Sequence, residues 1–126
     1  MHRSRLAGFI IDCQTANLEA AADFWSKALG LPRRKHQDPQ DPTYIKLQSD
    51  SMGLDIEVQR VDHPSRVHLD IETDDIDAEV RRLEALGAKR LKQIRTWWVM
   101  EAPTGHRFCV VRPQGSTFAK EANRWD

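Results

Sequence analysis

The stretch from Val67 to Leu91 constrains the fold most, because its hydrophobic period changes within a few residues. Apolar and polar residues alternate up to Glu72, which predicts a half-buried β-strand. Apolar residues then recur at helical spacing, and this pattern predicts an amphipathic helix that starts near Asp75. Gly87 stands where a left-handed C-cap would end that helix, before a further strand. The stretch therefore predicts a strand–helix–strand unit.

The polar residues of its first strand are His68, Asp70 and Glu72. The apolar faces of the strand and the helix are expected to pack against each other. The three polar side chains should then lie on the opposite face of the sheet.

Composition narrows the class of protein. The chain has 126 residues, enough for one domain, and its formal net charge of zero argues against nucleic acid as a partner. No apolar run reaches membrane-spanning length, and the first residues lack a signal-peptide core, so we expect a cytoplasmic protein without a membrane partner. Cys13 and Cys109 both lie in predicted strands, which favours free, buried thiols over a disulfide.

The first half of the chain repeats the order of the second. A strand is predicted at residues 8–14, and a helix follows between the cap residue Asn17 and Gly30. We expect Phe24 and Trp25 of this helix in the core. A short strand and two alternating strands, at residues 43–48 and 54–61, complete the half.

The predicted fold is therefore α+β, with the order βαβββ occurring twice. Module one spans about residues 8–61, a linker spans 62–65, and module two spans about 66–113. A polar tail covers 114–126. Two such modules can place their sheets side by side, with helices on the outer face and a cleft on the inner face.

Three stretches carry a resemblance to a known family: residues 17–31 with a Leu-Gly stop, residues 67–88, and the turn and strand at 102–111. In their order and spacing they resemble the vicinal oxygen chelate superfamily, which contains glyoxalases, bleomycin-resistance proteins and extradiol dioxygenases. The small glyoxalase-like branch is the most similar. The resemblance implies a cup-shaped mixed sheet, a homodimer, and often a divalent metal held by His and Glu.

The resemblance also implies one metal ligand from the first strand and one from the last strand of each module. His68 matches such a position, and Glu57 or Gln59 can supply a second ligand. Ile10 and Cys109 occupy the other two positions, and isoleucine cannot bind a metal. The family metal site is therefore expected to be incomplete. A divalent metal on His68 and Glu57 is one alternative, and a site without any cofactor is the other.

We expect a polar and aromatic cleft to hold the candidate functional residues. His68 and Glu57 are the candidate catalytic residues, with His68 either an acid or base or simply a hydrogen-bonded cleft residue. Trp97 and Trp98 are adjacent in one strand, so their rings point to opposite faces. The expected ligand-cleft residues are Asp12, Tyr44, Gln59, Asp70, Trp98 and Cys109.

The leading interpretation is a glyoxalase-like protein that binds a small molecule without the standard metal site. One alternative is a divalent-metal-dependent lyase, isomerase or dioxygenase with a rearranged site around His68 and Glu57. Another is a bleomycin-resistance-like protein that sequesters a compound without turnover, and a third is an interaction module with an empty cleft. Whether the chain is an enzyme is left open by the sequence.

Overall fold

The structure is a computed structural model that describes all 126 residues. It confirms the predicted α+β class, with eight strands in a mixed sheet and three α-helices. None of the helices has the length and apolarity needed to cross a lipid bilayer. The elements are β1 (His2–Gln14), α1 (Leu18–Leu29), β2 (Tyr44–Leu47), β3 (Asp55–Val61), β4 (Arg66–Thr73), α2 (Ile76–Ala85), β5 (Lys89–Ile94), β6 (Trp97–Glu101), β7 (Arg107–Val111), α3 (Phe118–Glu121) and β8 (Asn123–Trp125).

The chain divides into two compact units. We call residues 9–67 the α1 unit, and residues 1–8 together with 68–126 the α2 unit. In the α1 unit, β3 lies between β2 and β1, and β2 and β3 are antiparallel. As predicted, the Asn17 side chain caps α1 by accepting a hydrogen bond from the backbone N–H of Ala20 at 3.1 Å. Its core is formed by Ile11, Cys13, Leu18, Ala22, Ile45, Leu47, Ile56 and Val58.

Two details of the α1 unit differ from the expectation. Instead of a short strand after α1, a single β-bridge joins Arg33 to Leu47. The prediction that Phe24 lies in the core is wrong, because its side chain is 61% exposed. Phe24 packs edge-on against Trp25, and only Trp25 packs against the core.

In the α2 unit the strand order is β4-β7-β6-β5, and residues 2–8 of β1 lie beside β4. The β4 and β7 strands are parallel, whereas β7, β6 and β5 follow as antiparallel neighbours. The Asp75 side chain caps α2 by accepting from the Ala78 N–H at 3.0 Å. The apolar face of α2 covers one face of these strands, in a core of Val80, Leu83, Met100, Phe108 and Val110.

Gly87 follows α2 with a φ of 108°, a left-handed conformation that residues with a Cβ rarely adopt. A Cβ at this position would lie 3.1 Å from Cγ of Pro103. The turn therefore favours glycine for its backbone conformation, and a Cβ would in addition crowd the ring of Pro103.

The two ends of the chain are more ordered than the sequence indicated. The strand predicted at residues 8–14 starts earlier, because β1 begins at His2. The tail contains α3 and β8, and β8 pairs antiparallel with the start of β1. The Trp125 indole N–H donates to Oγ of Ser4 at 2.8 Å, which joins the last strand to the first.

A buried carboxylate lies beneath this junction. Glu79 of α2 is fully buried, and Nε2 of His2 lies 2.8 Å from its Oε1. Arg82 donates to both Glu79 oxygens at 2.8 Å, and its guanidinium lies 3.9 Å from the centre of the Trp125 ring. Burial raises the pKa of Glu79, but the hydrogen bonds from Arg82, His2 and Ser4 outweigh it and hold the pKa below its usual value.

This carboxylate should make the protein sensitive to acid. A lowered folded-state pKa means that the stabilisation is complete above the unfolded value, about 4.3, and is lost as the pH falls through the lower folded value. We expect the stability lost between about pH 7 and pH 3 to be smaller in Glu79→Gln than in the wild type. Urea unfolding across this range measures the difference, and equal losses would contradict the prediction.

Candidate functional site

The candidate site lies on the face of the α2 unit's sheet that is turned away from α2. His68 and Asp70 alternate along β4 with Leu69 and Ile71, and Ile71 packs against the core under α2, so both polar residues occupy the opposite face. The expected packing of the whole apolar face of the strand is wrong, because Val67 and Leu69 are 57% and 42% exposed. The parallel pairing of β4 with β7 places Asp70 directly beside Cys109. Strand alternation and one pairing register therefore bring these three side chains together.

The three side chains form a compact set of metal-ligating atoms. Their ligand atoms all lie within 4.8 Å of one another. Nε2 of His68 is 3.5 Å from Oδ1 of Asp70, and the side chains are 12% and 15% exposed, respectively. Oδ1 of Asp70 is buried without a hydrogen bond, since the His68 contact is too long to be a good one.

Asp70 differs from the other carboxylates on its face. Glu72 lies 3.8 Å from the guanidinium of Arg5, and it accepts a hydrogen bond from the backbone N–H of Gln114. Glu101 lies 3.4 Å from Arg107. No arginine or lysine pairs with Asp70, whose charged contact is His68 alone. A nearly buried carboxylate with one unbonded oxygen is costly unless a cation or donor can complete its environment.

The donor set fits a divalent metal. Imidazole nitrogen, carboxylate oxygen and thiolate sulfur are established ligands of such ions at distances of about 2.0–2.3 Å. Ligand atoms around one ion are therefore at most about 4.6 Å apart. The cluster's ligand atoms lie within 4.8 Å of one another, so a small inward movement of the side chains would bring them to one ion, which would satisfy the unbonded oxygen of Asp70. The residues that would hold the ion are His68, Asp70 and Cys109.

The two tryptophans of β6 are separated by the sheet. Trp98 packs against the core between α2 and the sheet, and the guanidinium of Arg90 lies 5.3 Å from its ring centre. The structure thus does not bring Trp98 to the face of His68. Val99 is paired with Cys109, so Val99 and Trp97 share the site face. Adjacent tryptophans had to face opposite ways, but only the register shows which one is on this face.

The remaining candidate residues lie in the α1 unit. Glu57 and Gln59 of β3 pair with Lys46 and Tyr44 of β2, and these side chains share the sheet face turned away from α1. Their role alongside His68 stays a prediction.

Asp12, on β1 of the same unit, is 2% exposed and lies 3.8 Å from the guanidinium of Arg66. Ile10, where the resemblance placed a ligand, is buried. As predicted, neither cysteine is in a disulfide. Cys13 is buried in the core, whereas Cys109 is only half-buried on the polar face, contrary to the expectation of a thiol packed in the interior.

A groove of about 710 Å³ in the α2 unit is distinct from this cluster. It lies at the end of β4 and the start of α2, and Asp74, Arg95 and Arg112 contribute to its lining. None of the predicted site residues lines it.

Asp70 was predicted only as a cleft residue, although the His-x-Asp spacing on one strand already placed it on the face of His68.

Comparison with known proteins identifies the family of this chain. Residues 8–111 match the family model described as a glyoxalase-like domain. The chain therefore belongs to the glyoxalase-like domain family, the branch that the sequence resembled. Comparison with curated proteins gives no match.

Solved structures show the same fold at low sequence identity. A variant of homoprotocatechuate 2,3-dioxygenase from B. fuscum superposes with a TM-score of 0.59 and 14% identity, over 90% of this chain and 33% of the dioxygenase. The chain thus spans about a third of that enzyme. Methylmalonyl-CoA epimerase from Mycobacterium tuberculosis gives 0.56 and 16% identity, over 87% and 88% of the two chains. A glyoxalase/bleomycin resistance protein/dioxygenase superfamily member from Vibrio splendidus 12B01 gives 0.50 and 20%, over 85% and 98%.

Proposed function

We propose that this protein binds a divalent metal at His68, Asp70 and Cys109, and binds an oxygen-bearing small molecule beside it. The observation that carries the proposal is the convergence of three different donor groups around a buried carboxylate oxygen without a hydrogen bond. The other carboxylates on this face support the proposal by contrast, because Glu72 and Glu101 already have arginine partners. The proposed site differs from the predicted pair of His68 and Glu57 in that all its ligands come from one unit.

The residues of the chain would have different roles at this site. A bound divalent ion supplies Lewis acidity, which polarises an oxygen of the small molecule. His68 and Asp70 hold their ligand atoms on a rigid strand, which limits the reorganisation required on binding. Trp97 and Val99 give the same face an apolar wall that would exclude water from the bound molecule.

The reaction class follows the family in this proposal. Similar folds include a ring-cleaving dioxygenase and an epimerase, which supports dioxygenase or isomerase chemistry, and lyase chemistry stays a prediction. An acid or base role of His68 with Glu57 would require a protein without metal on His68, and it stays a separate prediction. The expected homodimer also stays a prediction. A cytoplasmic location is supported by the two free cysteines.

A second candidate function is sequestration of a small molecule without turnover. The aromatic and apolar residues on the site face favour it, because Trp97 and Val99 can contact a flat or apolar ligand whether or not a metal is present. Such a protein would bind its ligand in the presence of a chelator and form no product.

Elemental analysis of protein purified without chelator or affinity metal tests the proposal. We expect about one divalent ion per chain, and at least a hundredfold weaker metal binding in His68→Ala, because a direct ligand is lost. His106→Ala is the matched control, since His106 lies in an exposed turn against Thr104 and should retain the metal. A wild type that contains no metal and binds no added Zn²⁺, Mn²⁺, Ni²⁺ or Fe²⁺ would contradict the proposal and favour sequestration.

A further inference from the structure

We infer that Cys109 makes this site selective for thiophilic divalent ions, such as Zn²⁺ and Co²⁺, over Mg²⁺ and Mn²⁺. The inference rests on the proposed function and specifies which metals the site takes. Cys109 occupies one of the ligand positions that the resemblance implies, and it offers a thiol where the resemblance implies His or Glu.

The thiol of Cys109 lies among the ligand atoms of the cluster. Cys109 is in register with Asp70 on the neighbouring parallel strand, and its Sγ is one of the clustered ligand atoms. It is half-buried on the polar face, whereas the flanking residues Phe108 and Val110 are buried in the core on the other face. The sulfur is thus turned toward His68 and Asp70 rather than into apolar packing.

The ligand types in this cluster favour some divalent ions over others. Thiolate and imidazole favour Zn²⁺ and similar borderline ions, whereas Mg²⁺ and Mn²⁺ prefer sites dominated by oxygen. Only Asp70 supplies a carboxylate within this cluster. Glu72 and Glu101 share the face but are already paired with Arg5 and Arg107. A cluster with one oxygen, one nitrogen and one sulfur ligand should therefore bind Mg²⁺ poorly.

The other cysteine, Cys13, has different surroundings from Cys109. Cys13 belongs to the core of the α1 unit, and its Sγ lies 3.5 Å from the carbonyl oxygen of Ile11. Burial raises the pKa of its thiol, against a smaller lowering from Trp25, which keeps it in the neutral form that does not bind metals. Cys13 therefore provides a control thiol within the same chain.

Cobalt spectroscopy of the metal-free full chain tests the inference under anaerobic conditions. We expect one equivalent of Co²⁺ to produce a near-ultraviolet thiolate-to-cobalt charge-transfer band. One equivalent of Zn²⁺ should abolish the band, and a large excess of Mg²⁺ should leave it unchanged. Cys109→Ser should lose the band and bind Zn²⁺ at least a hundredfold more weakly, because a direct ligand is replaced by a poorer one. Cys13→Ser should retain the band.

A second variant distinguishes the loss of the sulfur ligand from a loss of the fold. Cys109→Asp replaces the thiol with a carboxylate of similar size, and it should shift the preference toward Mn²⁺ while circular dichroism shows an unchanged fold. Equal Zn²⁺ affinity in the wild type and Cys109→Ser, or equal Zn²⁺ and Mg²⁺ affinity in the wild type, would overturn the inference alone. Calorimetry that detects no binding of any of these ions would overturn the proposed function as well.

Discussion

Glu79→Ala is expected to lower the free energy of unfolding by about 3 kcal/mol, because it removes the centre of a buried charge network. Glu79 is fully buried and receives hydrogen bonds from Arg82, with His2 2.8 Å from the same carboxylate. Without it, His2 would keep a buried ring nitrogen with no partner. Arg82 is about a quarter exposed, so part of its lost interaction can be replaced by water, which keeps the effect near the lower end for buried pairs.

The same variant should loosen the end of the chain. Arg82 lies against the ring of Trp125, and Trp125 bonds to Ser4. Once Arg82 is released from Glu79, this cation–π contact has no fixed geometry. Denaturant unfolding measures the stability, and hydrogen exchange of the β8 amides measures the local effect.

Glu84→Ala is the control for this prediction. Glu84 lies on the same helix and pairs with Arg90 at 2.9 Å, but the pair is exposed to solvent. Its loss should change stability little, since surface ion pairs contribute little. Equal free energies of unfolding for the two variants would mean that the buried network stabilises the protein no more than the surface pair does.

The network also shows why the ends of the chain could not be predicted. The residues that make it meet across most of the sequence, as Ser4 does with Trp125. Local periodicity reports only which side chains alternate, and the polar start of the chain gives no apolar pattern. The caps at Asn17 and Asp75 were predictable because each bonds to a backbone group three residues away.

The candidate site was likewise only partly predictable from the sequence. Alternation along β4 placed His68 and Asp70 on one face from the sequence alone. The apposition of Asp70 and Cys109 required the parallel pairing of strands that are distant in sequence. The unbonded oxygen of Asp70 could not be foreseen, because it depends on which carboxylates the arginines reach.

Met100→Ala should destabilise the protein by about 3 kcal/mol while leaving metal affinity nearly unchanged. Met100 is fully buried in the core beside Val80 and Phe108, so its truncation leaves a cavity that the surroundings fill only in part. Its neighbour Val99 points to the opposite face and pairs with Cys109. The core under α2 and the proposed metal site are thus on opposite sides of one strand.

Val99→Ala is the matched variant on the site face. Val99 is half-buried, so its truncation should cost about 1 kcal/mol or less, but it removes part of the wall beside Cys109. We therefore expect opposite effects. Met100→Ala should lower the midpoint of urea unfolding and keep the cobalt band. Val99→Ala should nearly keep the midpoint and alter the band or the affinity for the small molecule. A Met100→Ala protein that is fully folded in buffer but no longer binds metal would contradict the placement of the site on the Cys109 face.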